Sequence, residues 1–461
     1  MAMQLMVSLF SSPNVSYSKE HLEFIGNLLV ILWTFAEDFE LPIIPGFVDI
    51  LFLILCAQDE AICETKVLVL QLLYCLCDSP SYKMALQNGK LSVMASLLMQ
   101  PQAEKCFINS SSLFQLLCRA ILECVSVDAQ QKEVLKSEAL FCISKALEIN
   151  ELDLFEKLSV EVNPRSLTDA QASMIDEFCF HLEALKTALQ ILTNISAGDD
   201  QGDEEEVEDW DEDEDSSMCV DQDDCKSLTK VIQELKIFEL ILLKIPRISE
   251  ATFAKFHGST CLGQFISLWD ELQELFLSAM ANIAALPSFS FPSDFQVEAI
   301  LASLIQGLDS KYPQRVISTL GLVRNIVMKQ SGLAIESLST ISQLAASTDN
   351  PEIMSICLSI LGHCCKSPEM LAILTPLFPT MNQILQSCES PSLISSVLNT
   401  IFDIFGVDEN DVAFRQLSIL PVLKDCHSKL SSKVQNVIIS RLNHGRDHMI
   451  RNYLMKSVKP I

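Results

Sequence analysis

LGLVRNIVMKQSGLAIESLSTISQLAASTDNPEIMSICLSILGHCCKSP, Leu320 to Pro368, decides the fold. It contains a long apolar helix centred on Asn325, a second helix in AIESLSTISQLAAS, a break at Pro351, and another long apolar helix centred on His363. Apolar residues recur at the helical period, and proline stands where one helix gives way to the next. The same unit appears on either side. AMANIAALP is centred on Asn282 and LNTIFDIFGVD on Asp403, so the four centres are 43, 38 and 40 residues apart. Between them lie the second helices FQVEAILASLIQGL and ILTPLFPTMNQILQS, with further breaks at Pro313, Pro368 and Pro391.

A period of about 40–47 residues with two or three helices per unit is that of armadillo and HEAT repeats. One such unit cannot bury its apolar face alone, so units stack. The expected fold is all-α, a right-handed superhelical solenoid. An irregular all-α bundle is the competing fold, and four centres on one period favour the solenoid. The first half carries the same rhythm from Lys19 onward. HLEFIGNLLVILWTFAEDF and KVLVLQLLYCLCDSP place Trp33 and Tyr74 at equivalent points, 41 residues apart. IPGFVDILFLILCAQ opens near Pro45, and KLSVMASLLMQ, SSLFQLLCRAILECVSVD and SEALFCISKALEI continue the series. TDAQASMIDEFCFHLEALKTALQILTNIS starts at Thr168, a residue type suited to an N-cap.

One segment interrupts the array. DDQGDEEEVEDWDEDEDSSMCVDQDD, Asp199 to Asp224, holds 16 acidic residues in 26 and no base. The chain has net charge −28, so this tract carries −16 of it and all the rest only −12. Its like charges repel and its apolar surface is too small to offset chain entropy. It is expected to be a disordered loop thrown out between two helical halves. Loop closure opposes this little, since each doubling of length adds only ~0.6 kcal/mol. Trp210 stands in the middle of the run. An aromatic there suits an anchor that orders on a basic partner; a solvated spacer whose Trp tucks against its own scaffold is the alternative. The expected partner-binding residues are Asp203, Glu204, Glu205, Glu206, Glu208, Asp209, Trp210, Asp211, Glu212, Asp213, Glu214 and Asp215.

The domain reading follows. Residues 1–18 are a disordered or frayed start, 19–198 armadillo-like repeats, 199–227 the acidic loop, 228–440 HEAT-like repeats, and 441–461 a basic tail or capping helix. That last stretch has five Lys/Arg against one Asp.

Composition narrows the function classes. A sequence pI near 4.5 opposes nucleic-acid binding by the bulk surface and points to basic protein partners. Of the 17 cysteines, Cys56, Cys75, Cys77, Cys118, Cys124 and Cys357 fall inside apolar helical runs, and there is no CxxC pair, which suits buried free thiols in a reducing compartment. Cys426, His427, His444 and His448 imitate a zinc set but lack a paired-cysteine knuckle. No stretch of about 20 clean apolar residues suggests a membrane span, and MAMQLMVSLFSS lacks the basic n-region of a signal peptide.

No phosphate loop, dinucleotide fingerprint, nucleophile elbow or zinc-protease motif occurs. His363 beside Cys364 and Cys365 imitates a dyad, but neighbours in a helix point in different directions. Glu37 with Asp38, and Glu271 with Glu274, fit solvated helix faces better than paired acids. The expectation is no enzyme, no cofactor and no metal. Asn194, Asn282 and Asn325 lie near the ends of apolar helices. In armadillo arrays such side chains can clamp an extended peptide, and as helix-terminal polar residues they need no such role.

Three segments carry a family likeness. They are NLLVILWTFAED (Asn27 to Asp38), EALKTALQILTNISAGDDQGDEEEVEDWDEDEDSS (Glu183 to Ser217) and SPSLISSVLNTIFDIFGVDEN (Ser390 to Asn410). In this order the chain resembles the symportin family, also named for HEAT repeat-containing protein 3. The resemblance implies a non-enzymatic adaptor that chaperones and co-imports the two ribosomal proteins accompanying 5S rRNA. It implies a groove holding an extended part of one client, and an acidic loop, here Asp203 to Asp215 with Trp210, holding the other. It also implies an importin-beta-type receptor as partner and residence in cytoplasm and nucleus. Family members begin with a basic tail bearing a proline-tyrosine import signal and further armadillo repeats. This sequence has no Pro-Tyr dipeptide and opens near the middle of that array, as a shortened chain or a divergent member would. A HEAT scaffold within a larger complex and an acidic histone chaperone are the competing functions.

Overall fold

The computed structural model describes residues 3–4, 6–7, 19–39, 41–56, 63–87, 90–98, 110–126, 128–149, 168–197, 222–244, 260–291, 296–308, 312–330, 333–365, 371–374, 377–387 and 391–405. Among these the regular structure is entirely helical. From Lys19 the helices are α1 (Lys19–Asp38), α2 (Phe47–Cys56), α3 (Cys63–Leu76), α4 (Pro80–Gln87), α5 (Leu91–Leu98), α6 (Ser110–Val125), α7 (Ala129–Leu147) and α8 (Asp169–Ala197). After the tract come α9 (Gln222–Glu234), α10 (Ile237–Leu242), α11 (Thr260–Ala285), α12 (Val297–Gln306), α13 (Pro313–Lys329) and α14 (Ile335–Ser347). The last are α15 (Pro351–Cys364), α16 (Leu371–Leu374), α17 (Phe378–Ser387) and α18 (Pro391–Phe405).

The chain forms two compact units, Met1–Phe289 and Ser290–Ile461. In the second, α13, α15 and α18 pack in succession, while α12, α14 and α17 pair with them. These three inner helices each open on a proline, at 313, 351 and 391, where a missing N–H costs nothing. Asn350 caps α15, its side chain accepting from the Glu352 and Ile353 N–H groups at 2.9 and 3.3 Å. A helix flanked on two sides must be apolar on two sides. Accordingly α15 buries Ile353, Met354, Cys357, Leu358, Ile360 and Leu361. This is a stack of paired helices in chain order, the helical-repeat organisation expected from the period.

The first unit is built alike. α3 lies between α1 and α6, α6 packs on α7, and α8 packs on α7 and along α11. α3 buries Val67, Val69, Leu70, Leu72, Leu73 and Leu76, covering more than one face. Thr168 caps α8 as expected: its Oγ1 accepts from the Gln171 N–H at 3.3 Å, and Gln171 Oε1 accepts from the Thr168 N–H at 3.0 Å. α1 differs. Its inner face (Ile25, Leu28, Leu29, Leu32) is buried, but Phe24, Ile31 and Phe35 on the other side are about half exposed.

Several boundaries differ from the sequence reading. The units divide at Phe289/Ser290 rather than at the acidic tract, because α8 and α11, on either side of the tract, pack together. Helix α9 begins at Gln222, inside the stretch 199–227 expected as loop. The sequence places Asp223 and Asp224 in its first turn, a position where the helix dipole favours acidic residue types. Within the start expected as frayed, residues 3–4 and 6–7 are helical, with Met3 and Met6 buried one turn apart. The C-terminal tail lies outside the described residues.

Lys236, between α9 and α10, has φ 51° and is the one non-glycine residue in the left-handed region among the described residues. That conformation costs an L-residue about 1–2 kcal/mol, partly offset by the greater unfolded-state freedom of glycine. Lys236→Gly is therefore expected to stabilise the first unit by about 0.5–1 kcal/mol, measured as a higher urea midpoint; a lower midpoint would refute the strain.

Candidate functional site

The charged residues Asp203 to Asp215 and Trp210 lie outside the described residues; their neighbours on either side do not. Helix α8 carries the chain up to Ala197, and α9 resumes it at Gln222. The surroundings of the C-terminal end of α8 are therefore the described part of the candidate site.

Four side-chain links define those surroundings. Gln71 Nε2 on α3 donates to Thr187 Oγ1 on α8 at 3.2 Å. Three residues further along α3, the Tyr74 hydroxyl accepts from Asn194 Nδ2 at 2.9 Å. Lys186 of α8 pairs with Glu271 of α11 at 2.6 Å. Further on, Asn282 Nδ2 donates to the Thr193 carbonyl at 3.2 Å. In both helix pairs the residue numbers rise together, so α3, α8 and α11 run parallel. Their C-terminal ends share one edge, where the carbonyl ends of the helix dipoles favour cations. The tract leaves from the middle helix of the three.

The row Tyr74, Asn194, Asn282 marks this edge, each residue in or next to the last turn of its helix. Asn194 is exposed, whereas Asn282 and Tyr74 are half-buried. Among the described residues, one amide hydrogen of each asparagine is committed within the fold, and their Oδ1 atoms hold no hydrogen bond. Thr193 Oγ1, between them, is buried without a partner. Burial raises the Tyr74 hydroxyl pKa above its usual value, with the Cys124 thiol adding to the effect, so the phenol stays protonated. It accepts from Asn194 and keeps its own proton to donate. Asp78 follows α3, its carboxyl raised by burial against the opposing pull of Lys83.

The structure thus brings Asn194 and Asn282 together on adjacent helices. Asn325 stands half-buried on α13 in the second unit. Tyr74 is the residue that sequence reasoning missed as part of this row. Its signal was present: it occupies the end of an apolar helix, as the asparagines do.

Other expected candidates resolve into structural roles. Glu271, one of a suspected acid pair, is tied to Lys186 and to Ser267 at 3.4 Å. Burial pushes the Cys118, Cys124, Cys357 and Cys365 thiols up to about 12, and Cys77 well above its ordinary value. At neutral pH these remain thiols, inert as nucleophiles and metal ligands. Among the described residues no group of three or more His, Cys, Asp or Glu could hold a metal ion. Cys426, His427, His444 and His448 lie outside them. No described helix is long and apolar enough to cross a membrane.

Fold and site together define an all-α helical-repeat protein whose sequence carries an acidic tract between α8 and α9. Residues 226–449 match the family model described as SYO1-like, TPR repeats, SYO1 being the symportin family, so this part of the chain is similar to the repeats of that family. A TPR unit is about 34 residues, whereas α13, α15 and α18 open 38 and 40 residues apart, nearer the armadillo/HEAT spacing. No curated protein matches the chain. Among solved structures, it aligns with an engineered protein of the Northeast Structural Genomics Consortium at 15% identity and TM-score 0.34, over 88% of this chain and 99% of that one. It aligns with a chain from the phosphorylation switch between cadherin and beta-catenin at 12% identity and TM-score 0.30, over 96% and 99%. With Kap121p bound to Nup53p the identity is 13% and the TM-score 0.30, over 99% of this chain and 50% of that one.

Proposed function

We propose that this chain is a non-enzymatic binding chaperone and adaptor for basic proteins, with the tract Asp199 to Asp224 as its electrostatic capture site. The observation that carries the reading is the placement of fourteen acids, without one base, between helices α8 and α9 of a symportin-like repeat array, with Asp223 and Asp224 following at the start of α9. Such a charge density speeds encounter with a basic protein and makes capture salt-sensitive. The clients that fit the family are the ribosomal proteins of the large subunit that accompany 5S rRNA. The adaptor would support their nuclear import through an importin-beta-type receptor and their assembly, working in cytoplasm and nucleus.

The test is a competition pull-down in moderate salt with the intact chain and with one lacking Asp199 to Asp224. Equal amounts of the two 5S-associated ribosomal proteins and of histones compete. Selective retention of a ribosomal protein that disappears with the tract supports the reading. Equal competition by histones makes the tract a generic polyanion and favours a histone chaperone. Unchanged binding after deletion sinks the proposal and favours a scaffold subunit. The exposed apolar ridge of α1, with Phe24, Ile31 and Phe35, continued by Phe39 just after the helix, is the surface such a scaffold would use.

A further inference from the structure

We propose that the apolar ridge of α1 is a docking face for a basic amphipathic helix of a partner protein, laid along α1 as one repeat helix lies along the next. The inference goes beyond the adaptor reading and uses no part of the acidic tract. The repeat itself supplies the first observation. Trp33 and Tyr74 hold equivalent places in α1 and α3, 41 residues apart. In that register Leu28, Leu29 and Leu32 of α1 correspond to Val69, Leu70 and Leu73 of α3, and all of these are buried. Phe24, Ile31 and Phe35 correspond to Thr65, Leu72 and Leu76. The α3 residues are buried, whereas those of α1 are about half exposed. The difference lies in the neighbours. α3 is held between α1 and α6 with α2 also against it, whereas the main neighbour of α1 is α3 alone. A face that helices cover in α3 is therefore uncovered in α1 among the described residues. Spacings of seven and four put Phe24, Ile31 and Phe35 on one line along the helix. Phe39 continues that line, its ring 6.3 Å from that of Phe35.

Size and charge select the occupant. A phenylalanine presents about 150–250 Å² in full, so these four side chains offer roughly 400 Å². A patch of that size marks an interaction site. It is about half of the ~800 Å² per partner in a standard interface, which suits one helix better than the whole face of a second copy. Glu23 is exposed beside Phe24. The sequence places Glu37 and Asp38 in the last turn of α1, with no base there. The helix dipole is itself negative at that end. Two α1 helices laid antiparallel about Ile31 would set Glu23 against Asp38, and laid parallel would set each acid against its twin. A helix with apolar anchors at i, i+4 and i+7 and lysine or arginine on its flanks meets both the ridge and its acidic ends.

The probe is a labelled lysine–leucine peptide of about 18 residues, five helical turns, with leucines on one face. A scrambled peptide of the same composition has the same charge but no apolar face, so whatever the tract contributes cancels in the comparison. A third peptide carries glutamate in place of lysine. Affinities are measured for the intact chain and for Phe24→Ala/Ile31→Ala/Phe35→Ala, with circular dichroism confirming the fold. Ile31→Lys is the second variant should the triple one not fold. The intact chain is expected to bind the amphipathic peptide about tenfold more tightly than the scrambled one, the contribution of one buried aromatic anchor. The variant should lose that preference, and the glutamate peptide should bind about tenfold more weakly than the lysine one. Equal binding of the amphipathic and scrambled peptides to the intact chain overturns the proposal, as does a preference that survives in the variant. A glutamate peptide bound as tightly overturns the basic occupant. A dimer of the intact chain in sedimentation velocity that the variant abolishes makes a second copy the occupant and overturns the proposal too.

Discussion

Phe276→Ala is expected to destabilise the first unit by about 3–5 kcal/mol, the usual cost of removing a fully buried phenylalanine. Phe276 has no exposed surface and sits mid-way along α11. That helix packs against α8 and α10 and also buries Leu272, Ala279, Met280 and Ile283. Truncation loses the transfer free energy of the ring and leaves a cavity that a helix held on two sides cannot collapse. The readout is built into the chain. Its three tryptophans, Trp33, Trp210 and Trp269, all precede Ser290, so fluorescence follows the first unit alone. Trp269 is buried on α11, two turns before Phe276. The urea midpoint seen by fluorescence should fall sharply, while Phe276→Leu should cost less than about 1.5 kcal/mol. Phe35→Ala, on the exposed ridge of α1, should move it by no more than about 0.5 kcal/mol. A midpoint for Phe276→Ala no lower than that for Phe35→Ala would contradict the packing of α11.

Such contrasts show what a single sequence makes visible. The helices were legible because each repeat needs an apolar helix of fixed period, and proline punctuates them chemically, as at Pro351. Thr168 announced the start of α8 for the same local reason, and the structure adds Gln171 as its reciprocal partner. What escaped notice depends on contacts between distant residues. The acidic tract interrupts the sequence without interrupting the packing of α8 on α11, so the division of the chain falls at Phe289 instead. Tyr74 and Asn194 are 120 positions apart and meet only because two helices run parallel with their ends aligned. Nothing in either local sequence encodes the pairing. The cysteines were readable only in part: Cys77, Cys118, Cys357 and Cys365 are buried as expected, whereas Cys56, in an equally apolar helix, is exposed, because an apolar run does not say which face of its helix is covered.

The second unit has its own weak point, at Gly362. A Cβ built there would lie 3.2 Å from the Thr400 Cα and 3.3 Å from Asp403 Oδ2 on α18. The close neighbour is backbone, which cannot swing aside as a side chain would. The approach of α15 and α18 is fixed by polar links on the same faces. Ser355 and Ser396 hydroxyls bond at 2.7 Å, and Thr400 Oγ1 donates to the Leu358 carbonyl at 3.0 Å. Gly362→Leu must therefore push the helices apart and break these bonds. The added side chain is expected to cost about 2–3 kcal/mol through overpacking. Gly362→Ala should cost far less, because the gain of about 1 kcal/mol in helix propensity opposes a shift of a few tenths of an ångström. Since repeat units are coupled mainly to their neighbours, the loss should appear in the far-ultraviolet circular dichroism of the second unit and leave the tryptophan transition in place. If Gly362→Leu leaves the dichroism transition unchanged, α15 and α18 do not meet at this glycine. If the fluorescence transition falls in step, the two units unfold as one and the division at Ser290 carries no energetic meaning.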